Sequence, residues 1–110
     1  MNWNTLEEEE GLEAIISRSA SRPQLIYKHS TRCPISSMVK NRLERSGPPP
    51  ETMDFYFLDL IRHRGLSNRI AETFGVRHES PQVLLIRDGR CVYNESHTAI
   101  TMQELHEHAG

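Results

Sequence analysis

The chain has 110 residues, of which 36% are hydrophobic and 25% are charged, and its formal net charge is -2. This length suits one compact domain, so we expect a single domain over residues 1–110. Lysine and arginine are scattered among acidic residues, and no apolar stretch approaches the roughly 18 residues of a membrane span, so we expect neither a nucleic-acid nor a membrane partner. The acidic N-terminal segment lacks the basic start of a secretory signal, and we expect a cytoplasmic protein.

The N-terminal half of the chain predicts a helix, a strand and a second helix. Thr5 and Glu8 have the spacing of a capping box, and the apolar residues after them recur at helical intervals: Leu12, Ile15, Ile16 and Ala20. The short apolar run at 24–27 has strand character. A second helix begins at Pro34, a residue that suits a first helical turn, and ends before the proline-rich loop at 46–50.

The C-terminal half predicts a strand, a short helix and a β-hairpin. Residues 53–61 carry apolar side chains at positions that would face both sides of a sheet, as in a strand that is covered on both faces. A short helix at 70–74 ends at Gly75. The turn pair Asp88-Gly89 then joins two strands within residues 83–94 into a hairpin.

A last helix follows Thr101 and Glu104, which form a second capping-box pair. The elements therefore come in the order αβαβαββα. Helices and strands that alternate and then end in a hairpin indicate an α/β fold. We expect a mixed four-stranded sheet with helices on both faces.

Cys33 falls between the end of the first predicted strand and the start of the second helix. Backbone N–H groups at a helix start have no intrahelical partner, and the helix dipole is positive there. Because both effects stabilise a thiolate, we expect a reactive cysteine and not a buried packing residue. Lys28 and Arg32 carry positive charges in the same segment. Ser36 stands where many redox proteins have a second cysteine, so Cys33 has no nearby partner in the sequence.

Pro81 begins the first hairpin strand, directly after the polar segment 77–80. A proline at the start of a strand can hold a cis peptide bond, which is uncommon for X–Pro bonds in folded proteins. A second candidate feature of a redox site therefore lies far along the chain from Cys33.

Three stretches together resemble the monothiol bacilliredoxin (YtxJ-like) family: STRCPIS at 30–36, HESPQVLLIRDG at 78–89 and NESHTAIT at 94–101. A strand, a CPxS motif at a helix start and a polar-Pro step before a hairpin are also similar to a thioredoxin fold without its first strand. The resemblance implies a thioredoxin-like protein that exchanges bacillithiol with protein cysteines. By position, it implies that Cys33 is the redox-active cysteine and that Pro81 is the cis-proline facing it.

The same resemblance implies a set of ligand contacts. We expect Thr31, Pro34 and Ser36 to surround the thiolate, with Ser36 as a hydrogen-bond partner. The backbone of Ser80, beside Pro81, would pair with the peptide-like part of a thiol ligand. Bacillithiol carries an amino sugar and malate, and the candidates for these polar and partly anionic groups are Lys28, His29, Arg32 and His97.

The implied partners are oxidised, S-thiolated proteins and bacillithiol, which serves as a co-substrate. We expect no tightly bound cofactor. The six histidines show no ligand spacing of a familiar metal site, so we also expect no metal.

Cys91 follows the hairpin turn. If Pro81 lies beside Cys33, the strand after Pro81 runs on the order of 16–20 Å away from the site before the chain turns. A disulfide needs Cα atoms within about 7 Å of each other. We therefore expect Cys91 to be a structural strand residue, and we expect the returning chain at 94–97 to end near the site.

Two other functions remain open. A thiol peroxidase is one, because Ser30 precedes Cys33 by three residues, although Ile26 stands where that class has a proline. The other is a thioredoxin-like binding or redox-sensing module in which Cys33 is modified without turnover.

Overall fold

A five-stranded mixed sheet forms the centre of the protein in the computed structural model, which describes residues 1–109. The strands are β1 (Trp3–Thr5), β2 (Gln24–His29), β3 (Asp54–Asp59), β4 (Gln82–Arg87) and β5 (Arg90–Ser96). The helices are α1 (Glu9–Arg18), α2 (Pro34–Arg45), α3 (Arg64–Phe74) and α4 (Met102–Ala109), with a 3-10 turn at His97–Ala99 before α4.

The sheet has the strand order β1-β3-β2-β4-β5. The first three of these run parallel, whereas β4 is antiparallel to β2 and β5 is antiparallel to β4. The end of β2 therefore lies beside the start of β4, and Lys28 pairs with Gln82 across the two strands. This arrangement brings the β2–α2 turn, which contains Cys33, to the same end of the sheet as Pro81.

Alternation along β2 divides the core into two layers. One face of the sheet packs under α2 and α4, with Leu25 and Tyr27 from β2 fully buried. The other face packs under α1 and α3 and includes Ile26. Side chains of successive strand residues point to opposite faces, so Lys28 follows Ile26 onto the α3 side. No helix within residues 1–109 is both long and apolar enough to cross a membrane.

The predicted count of four strands is wrong by one, because residues 3–5 form a short strand and not the entry to a helix. Trp3–Thr5 pairs in parallel with β3, and α1 begins only at Glu9. The Trp3 ring packs against Tyr27, Phe55 and Phe57 at centroid separations of 5.6–6.2 Å. These contacts come from residues distant in the chain, and they override the local capping-box pattern at Thr5.

The predicted turns and caps are otherwise confirmed. Gly75 ends α3 with φ of 64°, and the hairpin turn places Asp88 and Gly89 at φ of 51° and 75°, a conformation that favours glycine and Asn or Asp. The hydroxyl of Thr101 accepts the backbone N–H of Glu104 at 3.2 Å. A bulge in β5 was not expected from the sequence: it shifts the register between Leu85 and Ile86.

Candidate active site

Cys33 is the residue that immediately precedes α2, with φ and ψ of -106° and 112°. Pro34 fills the first helical position, where a missing N–H removes no helical bond. The thiol is half-buried and forms no disulfide. It therefore stands at the N-terminal end of a 12-residue helix, where the helix dipole is positive.

The pKa of Cys33 lies below that of an ordinary thiol. The main cause is the backbone N–H of Ser36, and the hydroxyl of Ser36 and the N–H of Ile35 act in the same direction. Partial burial of the sulfur opposes them. Hydrogen bonds to the charged form favour that form, so the turn is built to hold a thiolate.

Ser36 is fully buried and connects three parts of the site. Its hydroxyl oxygen accepts the backbone N–H of Ser30 at 3.3 Å and lies 3.4 Å from the hydroxyl of Ser80. A hydroxyl has one proton and two lone pairs. When Ser30 and Ser80 donate to the lone pairs, the proton of Ser36 is left for the Cys33 thiolate.

Tyr27 fixes the backbone of the same helical turn. Its phenol donates to the carbonyl oxygen of Ser36 at 2.8 Å. Burial raises the pKa of Tyr27, and the negative charge of Cys33 raises it further. Tyr27 therefore stays a neutral donor, and it holds the residue that serves the thiolate.

The segment before β4 forms the facing side of the site. The peptide bond between Ser80 and Pro81 is cis. The carbonyl oxygen of Pro81 accepts the backbone N–H of His97 at 2.9 Å, so the chain after β5 also reaches this end of the sheet. The side chain of His97 is exposed, and its Nε2 lies 3.6 Å from Oε2 of Glu79. The fold thus brings Cys33, Ser36, Ser80, Pro81 and His97 into one region.

Two of the residues expected to contact a thiol ligand lie elsewhere. Lys28 is fully buried under α3, where its ammonium donates to the carbonyl oxygen of Ser67 at 3.1 Å. His29 is buried among aromatic rings, with its ring centroid 5.1 Å from that of Phe57. Both expectations are corrected, because neighbouring β2 side chains are buried in opposite core layers and neither reaches the open thiol.

The other residues of the turn are accessible. Thr31, Arg32 and Pro34 are exposed around Cys33. Ile35 and Met38 are apolar residues at helical spacing, yet they are 42% and 45% exposed. They give the rim of the site beside Cys33 an apolar surface.

Cys91 lies at the opposite end of the sheet. It pairs with Ile86, near the end of the β4 strand that starts beside Cys33. Burial raises the pKa of the Cys91 thiol, and the thiol donates to the carbonyl oxygen of Tyr93 at 3.3 Å. The two cysteines of the chain therefore have opposite surroundings.

His78 is a residue of this region that the sequence reasoning did not select. Its Nδ1 lies 3.3 Å from the ammonium of Lys28 and 3.3 Å from the hydroxyl of Ser67. In the sequence, only the position of His78 three residues before Pro81 indicates that it lies near the site. Among residues 1–109, no cluster of three or more His, Cys, Asp or Glu side chains is arranged to hold a metal ion.

Comparisons with known proteins bear on the family and the fold of the chain. The family described as monothiol bacilliredoxin BrxC matches residues 4–105. A solved structure, described as a thioredoxin fold with a suggested oxidoreductase role, is 30% identical and has a TM-score of 0.76. That match covers 94% of this chain and 89% of the other.

Thioredoxins share the fold at much lower identity. The thioredoxin of Malassezia sympodialis is 11% identical with a TM-score of 0.76, over 98% of this chain and 88% of that one. The thioredoxin of Trypanosoma brucei brucei is 12% identical with a TM-score of 0.77, over 96% of this chain and 89% of that one. The thioredoxin-like fold and the family predicted from the three motifs are both confirmed. The chain belongs to the monothiol bacilliredoxin family, a family of thiol-redox proteins.

Proposed function

We propose that the protein is a monothiol thiol–disulfide oxidoreductase that removes bacillithiol from mixed disulfides on protein cysteines, with Cys33 as the nucleophile. The main observation behind this proposal is that Ser36 occupies the position of a second cysteine next to Cys33. A hydroxyl occupies the position one helical turn from the thiol, and the other cysteine, Cys91, lies at the far end of the sheet. An internal disulfide is therefore out of reach, and the second thiol must come from solution.

In the first step, the Cys33 thiolate attacks the bacillithiol sulfur of a protein–bacillithiol mixed disulfide. A new disulfide forms between Cys33 and bacillithiol, and the bond to the protein sulfur breaks. The client cysteine leaves as a thiolate and takes a proton from water. The Ser36 N–H and hydroxyl stabilise the attacking thiolate before this exchange.

In the second step, the thiolate of a second bacillithiol attacks the bacillithiol sulfur that is bound to Cys33. Bacillithiol disulfide leaves, and Cys33 returns as a thiolate. Over the two steps the client disulfide is reduced by two electrons, and two bacillithiol molecules are joined by a disulfide. No other oxidant or reductant is needed.

The exposed residues around Cys33 supply the remaining roles. The backbone of Ser80, beside Pro81, pairs with the peptide-like part of bacillithiol, and Arg32 and His97 are candidates for its charged groups. The rim formed by Ile35 and Met38 suits contact with an apolar patch on a client protein. Because the reaction consumes reduced bacillithiol, the proposed location is a bacterial cytoplasm that maintains this thiol.

The test is the release of bacillithiol from a model protein that carries it on one cysteine. The wild type should restore the free client thiol when bacillithiol is present, and it should react more slowly with the glutathionylated client. Cys33→Ser should be inactive, whereas Cys91→Ser, the matched control, should keep the wild-type rate. A Cys33 adduct without client release would favour a redox-sensing module. Peroxide consumption by the wild type would favour the peroxidase.

A further inference from the structure

Lys28 is a buried cation without an acidic partner. The side chain is fully buried, and no Asp or Glu oxygen of residues 1–109 lies within ion-pair distance of its ammonium. Its neighbours are the carbonyl oxygen of Ser67, at 3.1 Å, and Nδ1 of His78, at 3.3 Å. Buried charges are usually paired with an opposite charge, so this arrangement requires an explanation.

The contacts of Lys28 determine the proton position on His78. An ammonium group has three donors and no acceptor, so Nδ1 of His78 must accept. The hydroxyl of Ser67, 3.3 Å from the same nitrogen, can also donate to it. A neutral imidazole whose Nδ1 accepts carries its proton on Nε2. His78 is an exposed residue, and because Nδ1 turns inward, the Nε2–H edge is the one left toward solvent.

His78 lies close to the thiol-binding region. It precedes Ser80 by two residues, a spacing that spans at most about 7 Å of chain. The hydroxyl of Ser80 in turn lies 3.4 Å from that of Ser36, the residue that stabilises the Cys33 thiolate. A thiol that is bound to Cys33 and runs along Ser80 would extend its distal end toward His78.

We propose that Lys28 and Ser67 position His78 so that its Nε2–H donates a hydrogen bond to a carboxylate of the small thiol bound at Cys33. This inference rests on the proposed function, in which that thiol is bacillithiol and the carboxylate belongs to its malate group. His78 is then a specificity-determining residue, and Lys28 and Ser67 are positioning residues.

The charges around His78 suit an anionic group. Besides burial, the positive charges of Lys28 and Arg64 lower the pKa of His78, which keeps the imidazole neutral. Glu79 acts in the opposite direction, but its carboxylate is directed to His97 at 3.6 Å. A buried ammonium and a nearby guanidinium thus produce a positive field behind a neutral donor.

The first test is an exchange equilibrium on Cys33 that needs no turnover. Bacillithiol and cysteinylglucosamine, which lacks only the malate, compete for Cys33 in a thiol–disulfide buffer, and intact-mass spectrometry measures the two adducts. The wild type should prefer bacillithiol by roughly 10-fold, the value of one hydrogen bond to a charged group. His78→Phe should lose this preference. His78→Gln should retain part of it, and His106→Phe, an exposed histidine on α4, should retain all of it.

The second measurement is the tautomer of His78 by ¹⁵N NMR of the imidazole. We expect the proton on Nε2 in the wild type and a mixture of tautomers in Lys28→Met. A proton on Nδ1, or equal preferences of the wild type and His78→Phe, would overturn the inference. If Cys33 shows the preference but the client protein is not released, the proposed function fails and the inference stands. If Cys33 forms neither adduct, both fail.

Discussion

The hydroxyl of Ser36 lies 3.4 Å from the hydroxyl of Ser80, and this contact joins the helix that follows Cys33 to the segment that precedes Pro81. Two stretches separated by 44 residues of sequence thereby become one site. The contact is buried on the Ser36 side, so its geometry is protected from solvent. A change at either serine should therefore affect the surroundings of Cys33.

Ser36→Ala should raise the pKa of Cys33, because the variant loses a hydroxyl that stabilises the charged thiolate. The backbone N–H of residue 36 remains and keeps part of the stabilisation. The thiolate absorbance near 240 nm, followed against pH, measures the change. Ser37→Ala is the matched control, since Ser37 is exposed on the same helix and should leave the titration unchanged. An unaltered titration of Ser36→Ala would show that the hydroxyl of Ser36 does not stabilise the Cys33 thiolate.

Ser36→Cys should convert the protein into a dithiol. Residue 36 lies one helical turn after Cys33, and its hydroxyl helps to lower the pKa of Cys33, so we expect a sulfur at this position to be close enough for a disulfide. Under mild oxidation, the intact mass should fall by two hydrogens and the client reaction should proceed through an internal disulfide. The wild type, whose other thiol is Cys91, should show no such loss. A two-hydrogen loss in the wild type would contradict the placement of Cys91 at the far end of the sheet.

Lys28→Met should change how the stability of the protein depends on pH. Burial lowers the pKa of Lys28 to about 8 from an ordinary value of 10.5. Between these two values the unfolded chain binds more protons than the folded chain, so this group makes stability rise with pH. The cost of burying the ammonium is fully present below pH 8, and it decreases above pH 8.

The free energy of unfolding in urea, measured from pH 7 to 9.5 for both proteins, tests this prediction. Subtracting the values of the variant removes the contributions of other groups that titrate in the range. The difference should favour Lys28→Met at pH 7 relative to pH 9.5 by about 2 kcal/mol, since the range covers about 1.5 of the pH units between the two pKa values. His78 also loses a positive neighbour in the variant, which should raise its pKa toward the ordinary range. If the difference in the free energy of unfolding between the two proteins does not change with pH, Lys28 is not buried as a charged ammonium group.

Trp3→Ala should destabilise the protein by about 3 kcal/mol, because the variant removes a large ring from the contacts with Tyr27, Phe55 and Phe57. It also removes the hydrogen bond from the indole to Glu44 at 2.9 Å. Urea unfolding measures the loss. Trp3→Phe should recover more than half of it, and both variants should retain the pKa of Cys33. A negligible loss would mean that β1 does not contribute to the sheet.

Much of the fold could be predicted because local signals coincide with the final structure. Pro34, Gly75, Asp88-Gly89 and Thr101 each mark a boundary through backbone chemistry that does not depend on distant residues. Trp3–Thr5 was missed for the opposite reason. A three-residue edge strand has too few positions for a periodic pattern, and its stability comes from pairing with β3, about 50 residues away.

The site was predictable in part for the same reason. Cys33 and Pro81 sit at element boundaries that the sequence displays. Lys28 was misassigned because a lysine five residues before Cys33, in the same segment, suggests a solvent-facing charge near the thiol. The alternation of β2 indicates that Lys28 and Tyr27 face opposite sides of the sheet, but only the tertiary fold shows that α3 covers Lys28 and that His78 reaches it.

The two cysteines give the molecule a single chemical handle. Cys33 has a lowered pKa at an open helix end, whereas Cys91 is half-buried with a raised pKa at the other end of the sheet. A maleimide or a thiol-affinity resin used near neutral pH should therefore modify Cys33 alone, without any need to replace Cys91. A bacillithiol adduct formed on Cys33 by exchange should likewise reach a one-to-one stoichiometry, and a reductant should release it.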